Sequence, residues 1–245
     1  MSSAIVERAA ECVRHARRLA VLSGAGISTE SGIPDFRSPT GLYSDERNAN
    51  VFDIASFRAD PSAFYRFAAR FYPMVASAEP NAAHRVLAKW EAGGRDVRIA
   101  TQNIDDLHQR AGSTRVFPVH GTVRTSTCQQ CGKTCDSKSL APEVVAGRIP
   151  SCRCGGVFKP DITFFGELLP EQAWEEAATA MSRADVVMVL GSSLSVYPAA
   201  SLPDRRPPSS RLIIVNRAAT HLDGAADVVS RDNLAEFMEE LDRRV

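Results

Sequence analysis

The fold is decided by the stretch Leu19-Ala20-Val21-Leu22-Ser23-Gly24-Ala25-Gly26, in which a short apolar run ends in a glycine turn. A continuous apolar run of this length is typical of a buried strand in a parallel sheet, because both faces of such a strand are covered. Similar runs predict further strands, at 97–100, 116–119, 186–190 and 212–215.

Helical apolar spacing fills the intervals between these strands. It predicts helices at 5–19, 61–72, 82–92, 170–182 and 233–241. This alternation indicates an α/β fold, a Rossmann-like and mostly parallel sheet with helices on both faces. Folds of this kind bind their ligands at the carboxyl ends of the strands. A stretch rich in proline and serine predicts a surface loop at 203–210.

Composition and charge exclude several classes of protein. With 245 residues, of which 44% are hydrophobic, the chain is long enough to bury a full core. Its 29 basic and 29 acidic residues cancel, which does not favour binding to nucleic acid or to an anionic membrane. Residues 1–18 predict an amphipathic helix without a signal-peptide core, and no apolar run approaches the roughly 20 residues of a membrane span. We therefore expect a cytoplasmic protein without nucleic-acid or membrane contacts, and a monomer rather than a stable oligomer.

Four cysteines form two close pairs, Cys128 with Cys131 and Cys152 with Cys154, separated by twenty residues. Paired cysteines beside glycines at this spacing are typical of a tetrahedral structural zinc site, and a reducing compartment favours metal over disulfides. The second pair has one intervening residue instead of two, and Cys135 is close enough in sequence to replace a ligand. Four thiolates leave no open coordination position, so we expect one structural Zn²⁺ per chain.

The cysteines lie in a stretch that interrupts the alternation of strands and helices. We expect residues 123–159 to form a small inserted zinc-ribbon module within a Rossmann-like domain made of residues 1–122 and 160–245. Part of 33–75 is expected to supply a cofactor loop and a small helical module.

The first chemical pattern is Gly24-Ala25-Gly26-Ile27-Ser28, directly after the first predicted strand. Glycines there let the backbone approach a pyrophosphate, whose charge is stabilised by amide groups at the start of the next helix. A tight turn without a ligand gives the same pattern. Thr29 stands where a dehydrogenase has its third glycine, and residues 32–50 predict a long loop instead of a second strand. Both features count against hydride transfer and favour a loop that closes over the ligand.

Two further strand ends carry polar groups. Thr101-Gln102-Asn103-Ile104-Asp105 follows the strand at 97–100 and offers amides and a carboxylate to a ribose or a carboxamide. Asn103 or Asp105 would equally serve to cap a helix at 106–111. His120 follows the strand at 116–119, and its ordinary pKa suits a general base, although single histidines are often structural. We expect these groups to share one sheet edge.

The succession of motifs resembles one family, the sirtuins, which are NAD-dependent protein lysine deacylases. The resemblance covers nearly the whole chain. It rests on the 24–28 motif with Gly32-Ile33-Pro34-Asp35-Phe36-Arg37, on the 101–105 motif, His120-Gly121, the paired cysteines, Phe165-Gly166-Glu167, Gly191-Ser192-Ser193-Leu194 and Ile214-Val215-Asn216.

The resemblance implies that NAD is the co-substrate and that three groups of residues bind it. The first group lies against the phosphates and shields the nicotinamide: Gly24, Ala25, Gly26, Asp35, Phe36 and Arg37. The second holds the nicotinamide ribose and the carboxamide: Gln102, Asn103, Ile104 and Asp105. The third contacts the adenosine half: Gly191, Ser192, Ser193 and Asn216. Ser192 replaces the family's usual threonine and keeps the hydroxyl.

The resemblance also implies the reaction, with His120 and Asn103 as catalytic residues. The acyl oxygen attacks the ribose anomeric carbon while the nicotinamide leaves, and His120 then deprotonates a ribose hydroxyl. The products are free lysine, nicotinamide and O-acetyl-ADP-ribose.

An acyl-lysine protein would bind as an added strand, by backbone hydrogen bonds, between residues 165–167 and 194–196. The residues implied are Phe165, Gly166, Glu167, Leu194 and Val196. Family members that prefer succinyl or malonyl groups carry Tyr and Arg three residues apart on a helix, where this chain has Ala68 and Phe71. Because a buried carboxylate needs a charged partner, we expect a pocket for acetyl or longer hydrocarbon groups.

Three other interpretations remain. A protein ADP-ribosyltransferase would share the NAD chemistry, and a dehydrogenase would share the glycine turn. A non-enzymatic zinc-ribbon or nucleotide-binding module would explain the cysteines, but it would leave Gln102, Asn103, Asp105 and His120 without a role.

Overall fold

The computed structural model describes residues 2–35, 41 and 50–245. The helices in this part of the chain are α1 (Ser3–Arg14), α2 (Ile54–Ala59), α3 (Ser62–Ser77), α4 (Ala82–Ala92), α5 (Leu107–Arg110), α6 (Ala141–Val145), α7 (Glu171–Ser182) and α8 (Leu234–Asp242). The strands are β1 (Arg18–Ser23), β2 (Asp96–Thr101), β3 (Val116–Pro118), β4 (Gly121–Cys128), β5 (Thr134–Asp136), β6 (Phe158–Ile162), β7 (Val186–Leu190), β8 (Arg211–Val215) and β9 (Val228–Ser230).

Six strands form one parallel sheet in the order β3-β2-β1-β7-β8-β9. Strand β1, which ends in the glycine turn, lies in the middle of the sheet. Its Leu19 pairs with Val97 on one side and with Val186 on the other. The predicted α/β fold with a parallel sheet is therefore confirmed.

Helices cover both faces of this sheet, as the residues of β1 illustrate. Leu19 and Val21 belong to a hydrophobic cluster shared with α1, α4 and α8, whereas Ala20 and Leu22 belong to a cluster shared with α7. Successive side chains of a strand point to opposite faces, so an unbroken apolar run serves both layers. Each fully buried Leu or Val contributes roughly 1.5–3 kcal/mol.

A second, antiparallel sheet has the order β5-β4-β6. Its own apolar cluster is small and consists of Cys128, Cys152 and Phe158, with Cys135 and Leu140 packed against it. A larger aromatic cluster lies between this sheet and helices α2 and α3, where Phe52, Phe57 and Phe64 surround Phe164 edge-on or tilted.

The structure differs from the sequence prediction at three element ends. Helix α1 ends at Arg14 because β1 begins at Arg18, so its apolar spacing does not continue to Leu19. Helix α3 runs to Ser77 and contains Pro73, past the predicted end at Tyr72. The predicted loop at 203–210 begins inside a 3-10 helix, Ala199–Arg205, in which Pro203 is buried.

None of the helices in the described part of the chain is both long enough and apolar enough to cross a membrane.

Candidate active site

The candidate site lies at the carboxyl edge of the parallel sheet, where β1, β2 and β7 end side by side. The backbone N–H of Gly24 donates to Leu190 O at 3.0 Å, and the N–H of Gln102 donates to Ser23 O at 2.9 Å. The protein's own backbone hydrogen bonds thus hold the ends of the three strands and the turns that follow them against one another.

Glycines are required where two of these turns touch. A Cβ atom at Gly26 would lie 2.8 Å from Gly191 Cα, and one at Gly191 would lie 2.3 Å from Ile27 N. Gly191 also has a φ of 64°, in the left-handed region that glycine tolerates without strain. Gly24 meets the same turn, since its Cβ would lie 2.8 Å from Gly191 O.

The segment after Gly26 differs from the predicted one. From Ala25 onward the chain forms two short 3-10 turns, Ala25–Ile27 and Thr29–Ser31, and not the α-helix that a dinucleotide-binding turn predicts. The prediction of a helix at this point was wrong, and Gly32, with a φ of 85°, ends the second turn.

A buried hydrogen-bond network joins Asn103 to Asp105 through Ser28. Asn103 Nδ2 donates to Gly24 O and to Ser28 Oγ, both at 3.1 Å, and Ser28 Oγ donates to Asp105 Oδ2 at 2.7 Å. Asp105 Oδ1 accepts from the backbone N–H of Leu107 at 3.0 Å. The N-cap of α5 is Asp106 and not Asn103 or Asp105, which the sequence offered as capping residues. Burial raises the pKa of Asp105, while the hydrogen bonds from Leu107 and Ser28 oppose this shift.

This network borders a small cavity that opens to solvent. Its walls are formed by the 24–28 motif and the residues after it, by the 101–105 motif and by helix α3. The lining residues are Ala25, Ser28, Ile33, Pro34, Phe71, Asn103, Ile104 and Asp105. Ser28 was not among the predicted site residues, although it closes the glycine motif. Its small hydroxyl in an otherwise apolar turn was the available signal.

His120 lies in the turn after β3, and its Nδ1 is 3.0 Å from Gln102 O. A carbonyl oxygen only accepts, so in this contact Nδ1 carries the proton and, in the neutral ring, Nε2 carries the lone pair. Burial lowers the pKa of His120, while the contact with Gln102 O opposes this shift. The imidazole is therefore neutral at pH 7, and it contacts Gln102, the residue that precedes Asn103, through its protonated nitrogen Nδ1.

The residues predicted for the adenosine half follow β7 and β8. Gln102 Nε2 donates to Ser192 Oγ at 2.9 Å, so the second and third motifs are directly joined. Ser193 is exposed and lies 2.7 Å, Oγ to Oγ, from Ser195. Asn216 follows β8, two strands from β1, and its Nδ2 donates to Ala218 O at 2.9 Å.

The predicted peptide edge is partly occupied by the protein's own backbone. The N–H of Phe165 donates to Phe52 O at 2.7 Å, and its carbonyl accepts from the N–H of Ile54 at 3.1 Å. The Phe165 side chain is 53% exposed, and Gly166 is exposed beside it. On the other side Leu194, with a φ of 53°, has its side chain buried in the sheet cluster, while Val196 is half-buried. The N–H and carbonyl of Phe165 are thus already used within the protein, whereas the adjacent Gly166 is exposed.

The two residues predicted for the acyl pocket occupy different positions. Phe71 lines the cavity and stacks on Phe67 with ring centroids 5.1 Å apart. Ala68 is fully buried in the aromatic cluster and is not among the cavity-lining residues. Asp35 is half-buried, and Phe36 and Arg37 lie outside the described residues.

The four cysteines of the two pairs converge on one point. All four Sγ atoms lie within 4.8 Å of one another, with Cys128 3.5 Å from Cys154 and Cys131 3.8 Å from Cys152. A tetrahedron of thiolates at a Zn–S distance of about 2.3 Å has edges of about 3.8 Å, so the cluster fits a zinc ion. A hydrogen bond from the backbone N–H of Cys131 helps to lower the pKa of Cys128 to about 6, which favours the metal-binding thiolate. Cys135 lies on β5, outside the cluster.

The parallel sheet, the joined turns at its carboxyl edge and the cysteine-bearing second sheet define a Rossmann-like α/β protein with an inserted module. A model of the Sir2 family matches residues 24–198. The chain is 44% identical over 230 residues to the NAD-dependent protein deacetylase of Thermotoga maritima, which covers 93% of both proteins. This chain therefore belongs to the Sir2 family, which confirms the resemblance to the sirtuins.

Solved structures agree over almost the whole chain. A Sir2 enzyme superposes with a TM-score of 0.93 at 38% identity, covering 99% of this chain and 98% of its own. A Sir2 variant in complex with a deacetylated p53 peptide and 3′-O-acetyl ADP-ribose superposes with a TM-score of 0.90 at 41% identity, covering 97% of both chains.

Proposed function

We propose that this protein is an NAD-dependent protein lysine deacetylase that transfers the acetyl group to ADP-ribose and releases nicotinamide. The observation that carries the proposal is the cavity bordered by the Asn103–Ser28–Asp105 network. His120 is joined to the same sheet edge by its contact with the carbonyl of Gln102, the residue before Asn103. Relatives of this degree of similarity are NAD-dependent protein deacetylases, and one related structure holds a deacetylated peptide with an acetylated ADP-ribose.

Asn103 and Asp105 are proposed to bind the nicotinamide carboxamide. In the part of the chain that the structure describes, Asn103 uses Nδ2 and its backbone N–H in hydrogen bonds, so its Oδ1 is available to accept from a ligand amide. Asp105 accepts one hydrogen bond on each oxygen and retains capacity for a second. Fixed amide and carboxylate groups hold the leaving group in one orientation while the bond to the ribose breaks.

His120 is proposed to act as the general base toward a ribose hydroxyl. The contact with Gln102 O orients the ring and leaves the Nε2 lone pair for the substrate, and burial keeps the ring neutral. Gln102 would then serve twice, since its backbone orients His120 and its side chain reaches Ser192.

The remaining NAD contacts are proposed along the same sheet edge. The phosphates would lie against Gly24, Ala25 and Gly26 and the adenosine half against Gly191, Ser192, Ser193 and Asn216. Asp35, Phe36 and Arg37 are proposed to cover the nicotinamide side.

The cysteine cluster is proposed to hold one structural Zn²⁺ in a module of residues 123–159. The fit of four Sγ atoms to a tetrahedron supports this, as does Gly156, where a Cβ would lie 2.7 Å from Cys128 Sγ. Four thiolates fill the coordination sphere, so the metal would shape the module and take no part in the reaction.

The acyl preference is proposed to be for acetyl or longer hydrocarbon groups. Phe71 brings an aromatic face to the cavity, and neither Phe71 nor Ala68 offers a cation to a succinyl carboxylate. The peptide is proposed to bind as an added strand along Gly166–Glu167 and 194–196. A cytoplasmic location, a monomeric state and the absence of direct nucleic-acid binding stay predictions from the sequence.

The experiment is incubation of the purified protein with NAD and three versions of one peptide, carrying acetyl-, succinyl- or myristoyl-lysine. Mass spectrometry should detect a deacetylated peptide, nicotinamide and O-acetyl-ADP-ribose, and removal of acetyl should be faster than removal of succinyl. A peptide that gains the mass of ADP-ribose would instead identify a transferase, and faster removal of succinyl would overturn the apolar pocket.

A further inference from the structure

One buried charged group lies outside both the cavity and the cysteine cluster. Lys159, on β6, is only 5% exposed, and its ammonium is surrounded by oxygen atoms. Nζ donates to Ile162 O at 2.8 Å and to Pro160 O at 3.3 Å, and it lies 2.8 Å from Glu167 Oε2. It also lies 4.2 Å from the centroid of the Phe164 ring. Burial of an ammonium is costly because the group loses its water. The cost is offset only where its N–H donors find partners in the protein.

The partner carboxylate closes a turn. Glu167 Oε2 accepts from the backbone N–H of Phe164 at 2.8 Å, and the N–H of Glu167 donates to Phe164 O at 3.0 Å. The turn from 164 to 167 is therefore closed by both the backbone and the side chain of Glu167. Lys159 fixes the one carboxylate oxygen on which the side-chain closure depends.

This turn carries the edge at which we propose that the peptide binds. Phe165 is fastened by Phe52 and Ile54, so the exposed backbone of Gly166, with a φ of 89°, is the part left for an added strand. A peptide strand needs that backbone in one orientation, because its affinity comes from main-chain hydrogen bonds. The Glu167 side chain directs its Oε2 to Lys159 and to the Phe164 N–H.

A role in stability alone does not account for this arrangement. A buried ion pair often contributes little net stability, because desolvation offsets most of the attraction, and replacement of both partners by apolar residues of similar volume is frequently neutral. In some proteins such a pair supplies instead one defined geometry for the groups it joins.

We propose that Lys159 is a positioning residue for the peptide substrate, and that it holds the Glu167 carboxylate so that the 164–167 turn presents the Gly166 backbone to an added strand. This inference rests on the proposed deacetylase function and adds to it a residue that contacts neither the cofactor cavity nor the reacting groups.

The test compares Lys159→Met, Lys159→Arg and the exposed control Lys138→Met in steady-state deacetylation, with the acetyl peptide and NAD varied separately. Lys159→Met should raise the KM for the peptide at least tenfold while kcat and the KM for NAD stay within about twofold of wild type. Lys159→Arg should recover most of the peptide KM, because it restores a cation at Glu167. Lys138→Met should match the wild type.

A second variant tests the same ion pair from its other side. If Lys159→Met does not yield folded protein, Glu167→Gln removes the ion pair but keeps an acceptor for the Phe164 N–H, and it should raise the peptide KM in the same selective way. An unchanged peptide KM in a folded variant, or an equal loss toward NAD and peptide, overturns the role of Lys159. Absence of deacetylation by the wild-type protein would instead overturn the proposed function, so the two failures are distinguishable.

Discussion

At the scale of the residue, the candidate site depends on which atoms are already used in the protein's own hydrogen bonds. The Nδ1 of His120 is used by Gln102 O, which leaves Nε2 as the acceptor nitrogen of the neutral ring, and the Nδ2 of Asn103 is used by Gly24 and Ser28. The glycines of the site act in a different way. They are needed because the turns after β1 and β7 approach within van der Waals distance.

Replacing Gly191 by alanine should destabilise the whole fold. The new Cβ would clash with the backbone of Ile27, and the residue would retain a φ of 64°, so strain and overpacking together should cost about 2–4 kcal/mol. Urea unfolding followed by circular dichroism measures this loss. Gly224→Ala is the matched control, since a Cβ there meets open space, and it should change the free energy of unfolding by less than about 0.5 kcal/mol. Equal effects of the two substitutions would refute the packing argument.

At the scale of the element, the antiparallel sheet β5-β4-β6 has too little apolar surface to support itself. Its cluster has three buried members, and two of them, Cys128 and Cys152, also belong to the proposed metal site. Small modules of this kind obtain their folding free energy from the metal. Strand β6 of this sheet carries Lys159 and leads to the proposed peptide edge.

Cys128→Ser should therefore abolish zinc binding and lower the melting temperature. Metal content per chain, measured by inductively coupled plasma mass spectrometry, should fall from one to near zero. Cys135→Ser is the control, because Cys135 lies outside the four-Sγ cluster, and it should retain one zinc. Loss of the metal from the Cys135 variant, or its retention in the Cys128 variant, would assign the ligands differently.

At the scale of the whole molecule, three partly or fully buried histidines couple stability to pH. Burial lowers the pKa of His84 to about 3, lowers that of His108 well below its ordinary value, and lowers that of His120. His84 and His108 lie against each other, with ring centroids 4.8 Å apart. Below a pH of about 6.5 the unfolded chain binds protons on these rings that the folded chain does not bind. The contribution of these histidines to the free energy of unfolding is therefore fully present above that pH and is lost as the pH falls.

The free energy of unfolding should accordingly decrease as the pH is lowered from 6.5 to 5, with His84 alone contributing up to about 1.4 kcal/mol per pH unit. Urea titrations at several pH values measure this slope. His84→Gln should reduce it, whereas His15→Gln should leave it unchanged, because His15 is exposed. A slope that is the same in the His84 variant and the wild type would contradict this account.

Much of this molecule could be predicted from the sequence where one residue pattern had one structural meaning. The apolar runs of β1 and β7 predicted central parallel strands, and the cysteine spacing predicted the cluster of four Sγ atoms. Strand β9 was missed, because its three residues form too short a run to stand out. The end of α3 was missed because Pro73 is tolerated inside the helix.

The parts of the site that escaped prediction depend on contacts between distant segments. Ser28 joins Asn103 to Asp105 across more than seventy residues, and nothing in the local sequence indicates that bond. The same holds for Lys159, which is a charged residue in a short strand, and whose burial depends on how the 164–167 turn folds over it.

The most direct test of the central claim is the product stoichiometry of the wild-type protein and of His120→Ala. For the wild type, nicotinamide, deacetylated peptide and O-acetyl-ADP-ribose should form in equal amounts by mass spectrometry. His120→Ala should retain the fold and the metal but lose the deacetylated peptide and O-acetyl-ADP-ribose by at least a hundredfold, because the proposed general base is removed. Undiminished deacetylation by the variant, or deacetylation by the wild type without consumption of NAD, would contradict the account.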